Sequence, residues 1–198
     1  MTLSQPQRIG LFILLALVMA GTRINHFSAM PDASWAVFLA AGFYLRGSMR
    51  WAFPALMALA VFVDFLVISS QGLSFWSHYC MSAAYWFLIP AYAAMWAGGS
   101  WLRSRYSGLD LPSLGMLAGV TLAATSLCFL VSNGSFYWLS DSIAARSLDG
   151  WMQNLADWYL PYLRTTAAWV CVGAAAHVIG TRWLRLLANQ SQASGQRG

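Results

Sequence analysis

The chain has 198 residues, of which 59% are hydrophobic and only 9% charged. A water-facing domain carries about 25% charged residues, so a soluble surface is excluded. The net charge of +5 comes from Arg alone among the bases, with no Lys and no Glu anywhere. In so apolar a chain the placement of Arg reports membrane topology first and says little about nucleic acid.

Six apolar stretches follow one another: residues 9–21, 33–45, 51–69, 79–98, 112–131 and 162–187. They lack the polar alternation of barrel strands, and lipid otherwise permits only helices. The reading is therefore an all-α integral membrane protein with six transmembrane helices. Crossing the hydrocarbon core takes about 20 residues, so the second stretch either borrows flanking residues or thins the bilayer locally. Arg8 and the run ending Val18-Met19-Ala20 also fit a signal peptide; the expectation is an uncleaved first span. With the N-terminus inside, Arg8, Arg46, Arg50, Arg103, Arg105, Arg182, Arg185 and Arg197 fall inside, whereas Arg23 and Arg146 fall outside and Arg164 opens the last span. This positive-inside bias puts both termini in the cytoplasm. Residues 1–188 form one domain, and 189–198 read as a disordered cytoplasmic tail. Pro90 is expected to kink the fourth helix at mid-span, and Pro54 and Pro112 to occupy first turns.

The outer segments carry the chemistry. The first holds Arg23, Asn25, His26, Asp32 and Trp35. The second holds Phe75, Trp76, His78, Tyr79 and Cys80. The third, expected to be a long segment from Ser132 folded over the outer face, holds Phe136, Tyr137, Trp138, Trp151, Asn154, Trp158 and Tyr159. Trp151, Leu155, Trp158 and Tyr159 share a helical face there, with Asp149 as a possible cap. Two readings are open for these rings. They form an aromatic belt at the headgroup level, or they line a pocket for a large, partly flat, amide-rich ligand.

Three residues stand out. Cys80 falls at the start of the fourth stretch, where a helix N-terminus stabilises a thiolate. A thiolate is a soft ligand for late transition metals, and His78 is near enough to assist. The alternatives are a buried inert thiol or a disulfide to Cys128. Asp64 is the one acid well inside a span, which points either to a cavity or to a structural partner such as Arg164. His177 lies in the sixth span, where hydrogen-bonded packing is the ordinary role. Tyr85 shares the predicted side and depth of Asp64.

Over nearly its whole length, the chain resembles the BtuM family of vitamin B12 transporters. These are related to the S components of energy-coupling-factor (ECF) transporters. The resemblance is carried by the size, the six spans, Ala16 and Ala20 on the first helix, the short second span and the run Ser77-His78-Tyr79-Cys80. It implies an S-component-like bundle in the bacterial cytoplasmic (inner) membrane, with cobalamin as bound substrate and no separate cofactor. Cobalamin would enter a pocket open to the outside, with Cys80 on an axial position of the cobalt. A separate chemical corollary of thiolate ligation is that Cys80 would expel the cyanide of cyanocobalamin. Ala16 and Ala20 would meet an ECF energising module. The ligand-binding set expected on this basis is Cys80, His78, Tyr79, Tyr85, Asp64, Trp76, Arg23, His26, Tyr137 and Trp158. The competing class is a membrane thiol enzyme or redox protein using Cys80 and His78; it lacks a visible orienting carboxylate beside them.

Overall fold

The computed structural model describes residues 3–24, 32–77 and 82–195, with the backbone alone at 185 and 187–195. Its α-helices are α1 (Gln5–Arg23), α2 (Ser34–Tyr44), α3 (Met49–Ser70), α4 (Leu88–Arg105), α5 (Leu111–Leu139) and α6 (Leu148–Gly195). Tight 3₁₀ turns precede α3 at Arg46–Ser48, follow it at Phe75–Ser77, and lead into α4 at Ala83–Phe87. There is no strand among the described residues.

Four segments are long and apolar enough to cross a membrane: Gln5–Arg23, Arg46–Ser70, Leu111–Leu139 and Leu148–Leu184. The chain is thus an all-α membrane protein. The short second stretch is a real helix, but its 11 residues reach only about 16 Å, roughly half the hydrocarbon thickness. It is enclosed by protein instead: Trp35 through Leu39 and Ala41 are all buried.

Helix starts follow local chemistry. The Ser4 backbone N–H donates to Gln7 Oε1 at 2.9 Å, and Pro6 sits in the first turn of α1 where it costs no hydrogen bond. Asp110 caps α5 by accepting from the Ser113 N–H at 2.8 Å. At α6 the cap is Ser147, whose Oγ accepts from the Gly150 N–H at 3.1 Å. Asp149 lies inside the first turn, where its charge favours the helix dipole, and is not the cap.

The core is built on α2 and α4. Phe38 stacks on Tyr92 with centroids 4.5 Å apart and meets Phe53 edge-on, while Trp96 turns an edge to Phe53 from α4. Gly42 abuts the Trp96 carbonyl and Gly99 abuts the Leu39 carbonyl, so a methyl at either would collide with backbone. Small residues on both helices let their axes approach closely, and the Ser100 hydroxyl bridges them by donating to the Gly42 carbonyl at 3.1 Å. α5 lies against the other side of α4, α1 against α2 and α3, and α6 against α5 and α2.

Several sequence expectations change. Residues 132–139 are the last turns of α5, not a loop, because Phe136-Tyr137-Trp138-Leu139 continues the apolar run and Gly134 does not break it; the connection to α6 is residues 140–147. Trp151, Leu155, Trp158 and Tyr159 lie on the start of α6 itself rather than on a separate short helix. α4 begins later than expected, after the extended residue Ser82, and Pro90 is its third residue, a position where proline is tolerated. Pro54 is interior to α3 rather than in its first turn. Pro161 is interior to α6, where it leaves the Asp157 carbonyl without its usual donor. The same helix runs on to Gly195.

Candidate functional site

One end of the bundle gathers the end of α1, the start of α2, the end of α3 and the 3₁₀ turn leading into α4. Their polar residues converge on Arg23. Its Nε donates to Asp64 Oδ1 and its Nη2 to Asp64 Oδ2, both at 2.7 Å, a bidentate pair. Its Nη1 reaches Asp32 Oδ2 at 3.2 Å, Ser34 Oγ at 3.2 Å and Tyr92 Oη at 3.1 Å. Asp32 is held by Ser34 in turn: Oδ1 accepts from the Ser34 N–H at 2.9 Å and from its hydroxyl at 2.6 Å. The Tyr85 hydroxyl donates to Asp64 Oδ2 at 2.7 Å.

This cluster is recessed. Asp64 lies six residues before the end of α3, about 9 Å along the axis. The Arg23 side chain is 8% exposed and that of Asp64 20%. A planar guanidinium matches a carboxylate bidentately, and such charge-assisted bonds are the strong kind. Among the described residues, two carboxylates share one guanidinium. The Ser34 hydroxyl donates to Asp32 and that of Tyr85 to Asp64, while that of Tyr92 accepts from Arg23.

The expected site residues divide accordingly. Arg23, Asp64 and Tyr85 come together, and Asp32, Ser34 and Tyr92 join them. The partner of Asp64 is Arg23, not Arg164, which is exposed on α6. Trp76 is 81% exposed at this end. Trp158 is 53% exposed on α6. Tyr137 is buried and structural: its hydroxyl donates to the Ser147 carbonyl at 3.1 Å and accepts from the Ser147 N–H at 3.2 Å. It thereby pins the α5–α6 connection. His26, His78, Tyr79 and Cys80 lie outside the described residues. Cys128, the other end of the considered disulfide, is a free thiol buried in the core. Ala16 and Ala20 are half-buried, with Ala16 against the chain's own core; Ile13, Leu14 and Leu17 carry the exposed side of α1.

A second polar cluster occupies the opposite end. His177 on α6 is held between two tyrosines, Nδ1 to the Tyr44 hydroxyl at 2.7 Å and Nε2 to that of Tyr106 at 2.9 Å. Phe43 faces the imidazole edge-on. These residues line a cavity of about 410 Å³ between α2, the end of α4, the start of α5 and α6. Reading His177 as hydrogen-bonded packing is right as far as it goes. Its partners come from the last residue of α2 and the residue after α4, far from it in sequence. Among the described residues no group of three or more His, Cys, Asp or Glu is placed to hold a metal.

Compared with known proteins, the chain matches no family model and no curated sequence.

Proposed function

We propose that the chain takes up cobalamin across the bacterial cytoplasmic membrane as a solitary, S-component-like transporter. The corrinoid binds at the Arg23 end of the bundle, with the Cys80 thiolate on an axial position of cobalt. The observation that carries this reading is the Tyr85–Asp64–Arg23 chain of bonds. It ties the residue five positions after Cys80 to a recessed, buried polar cluster.

The chemistry fits the cargo. A macrocycle fringed with amides needs both donors and acceptors, and the cluster offers carboxylate oxygens and hydroxyls around one guanidinium. The carboxylate oxygens of Asp32 and Asp64 suit amide N–H groups. The arginine distribution turns this end to the outside, which is the side of capture. A thiolate that ligates Co(III) in cyanocobalamin displaces cyanide as an anion, with no change in cobalt oxidation state. No ATP-binding signature is present in the sequence, so the energy comes from a partner module meeting α1, or transport is facilitated.

The test is the visible absorption spectrum of protein purified with cobalamin and freed of excess ligand, beside Cys80→Ala. A co-purifying corrin spectrum, shifted in the wild type and unshifted or lost in the variant, is expected. A colourless wild-type protein overturns the cobalamin reading and leaves a thiol enzyme using Cys80 and His78. Identical corrin spectra in both proteins keep the cargo and remove Cys80 as ligand.

A further inference from the structure

The His177 end of the bundle carries a second binding site, and we infer that it holds one membrane glycerophospholipid. An acyl chain fills the cleft between α5 and α6, an ester carbonyl meets the tyrosine pair, and the phosphate meets Arg182.

The cleft exists because α5 and α6 touch near only one end. There Ser126 meets Tyr159, Phe129 meets Tyr162, and Asn133 meets Asn154. Toward the other end the space between them is the cavity of about 410 Å³, within the ~300–1,000 Å³ usual for ligand pockets. Its walls are apolar, with Leu39 and Ala40 from α2, Leu117 from α5, and Trp169 and Gly173 from α6. Both flanking helices are long and apolar enough to cross a membrane, so the cleft opens to lipid rather than to water. An apolar void there is filled by what surrounds it.

Three features select a phospholipid over a plain hydrocarbon. First, the His177 cluster always presents a hydroxyl proton. A neutral imidazole has one N–H and one acceptor nitrogen. One tyrosine therefore donates to His177 and the other accepts from it, which leaves the second hydroxyl proton uncommitted. A protonated imidazole frees both. Either way the cavity holds an O–H donor for a carbonyl oxygen. Secondly, the exposed Arg182 stands on the cavity lining five residues beyond His177, about 7.5 Å along α6. A phosphate lies at a comparable distance above its ester carbonyls. From Arg182 to Trp169 is about 20 Å of helix, somewhat more than one leaflet's ~15 Å of hydrocarbon. Thirdly, Trp183 is 63% exposed and Trp101 45%. Exposed indoles next to Arg182 and Leu102 mark the headgroup level. Asp110 on the α5 lip adds a carboxylate that an ethanolamine headgroup can meet.

The experiment is native mass spectrometry of the full chain in mild detergent, titrated with phosphatidylethanolamine. One bound phospholipid per chain is expected. Gly173→Leu fills the cleft, and nothing lies within 4 Å of a Cβ at that position, so the fold accommodates it; bound lipid should fall to background. Arg182→Gln should weaken binding about tenfold, the worth of one charge-assisted hydrogen bond. Equal retention by wild type and Gly173→Leu, or no retained lipid in the wild type, overturns the site. Undiminished affinity in Arg182→Gln overturns the headgroup assignment. Cobalamin capture at the other end does not enter either readout.

Discussion

Arg23 and Asp64 stand 41 residues apart in sequence and meet through two contacts of 2.7 Å each. The pair joins the last residue of α1 to the interior of α3, and nothing else in the described chain links those helices by charge. Removing one partner of a buried pair costs up to about 3–5 kcal/mol, and Asp32 at 3.2 Å stays on Arg23 to offset part of that. Asp64→Asn should therefore lower thermal stability in detergent sharply. Joined with Arg23→Met it should cost less than the sum of the two single changes, because the Arg23–Asp64 bonds can be lost only once. Simple addition of the two single effects would show that the pair is not coupled.

The close approach of α2 and α4 gives a second expectation. Gly99→Ala places a methyl against the Leu39 carbonyl, which cannot rotate away. Overpacking of this kind costs about 1–3 kcal/mol. Gly115→Ala is the control: it meets nothing within 4 Å, and alanine is favoured over glycine in a helix by up to about 1 kcal/mol. Melting of both variants by intrinsic fluorescence should move in opposite directions.

Asp110 gives a pH dependence. The Ser107 hydroxyl at 2.7 Å, and the Ser113 side chain and N–H, hold its carboxyl below its ordinary value. A depressed folded-state value means that the stabilisation is present above the unfolded carboxylate range. It is lost as pH falls through the folded value. The melting temperature of the wild type should therefore decline more steeply below about pH 4 than that of Asp110→Ala. Parallel curves would show that the cap has no share in acid sensitivity.

Tyr137 separates structure from binding. Tyr137→Phe removes both bonds to Ser147 and leaves its backbone groups short of a partner, at about 1–3 kcal/mol. The expected result is a lower melting temperature with an unchanged corrin spectrum. A changed spectrum at unchanged stability would return Tyr137 to the ligand site.

Continuous apolar runs made α1, α3, α5 and the middle of α6 legible in the sequence, since length and hydropathy alone decide them. Aromatic residues misled. Phe136, Tyr137 and Trp138 read as loop because tryptophan and tyrosine favour interfaces, yet they extend α5 by two turns. The start of α4 was misplaced because an apolar run does not distinguish a 3₁₀ turn from an α-helix at Ala83–Phe87. At the site, Arg23, Asp64 and Tyr85 could each be picked out by type and depth. Their pairing could not, because it depends on how α1 and α3 pack. Tyr92 was within reach: it lies seven residues, two helical turns, after Tyr85. The Tyr44–His177–Tyr106 arrangement left no local signal, since Tyr44 ends α2, Tyr106 follows α4 and His177 lies on α6.

Helix α2 begins at Ser34, which touches Arg23, and ends at Tyr44, which touches His177. Eleven residues of rigid helix, about 15 Å from the first to the last, thus carry a fastening at each tip. Such a bolt cannot slide along its axis while both hold: a shift by one turn withdraws Ser34 and Tyr44 in the same stroke. A disturbance of the Arg23 cluster large enough to move α2 must therefore be felt at the Tyr44 hydroxyl. The two ends of the molecule keep a common register without any residue touching both.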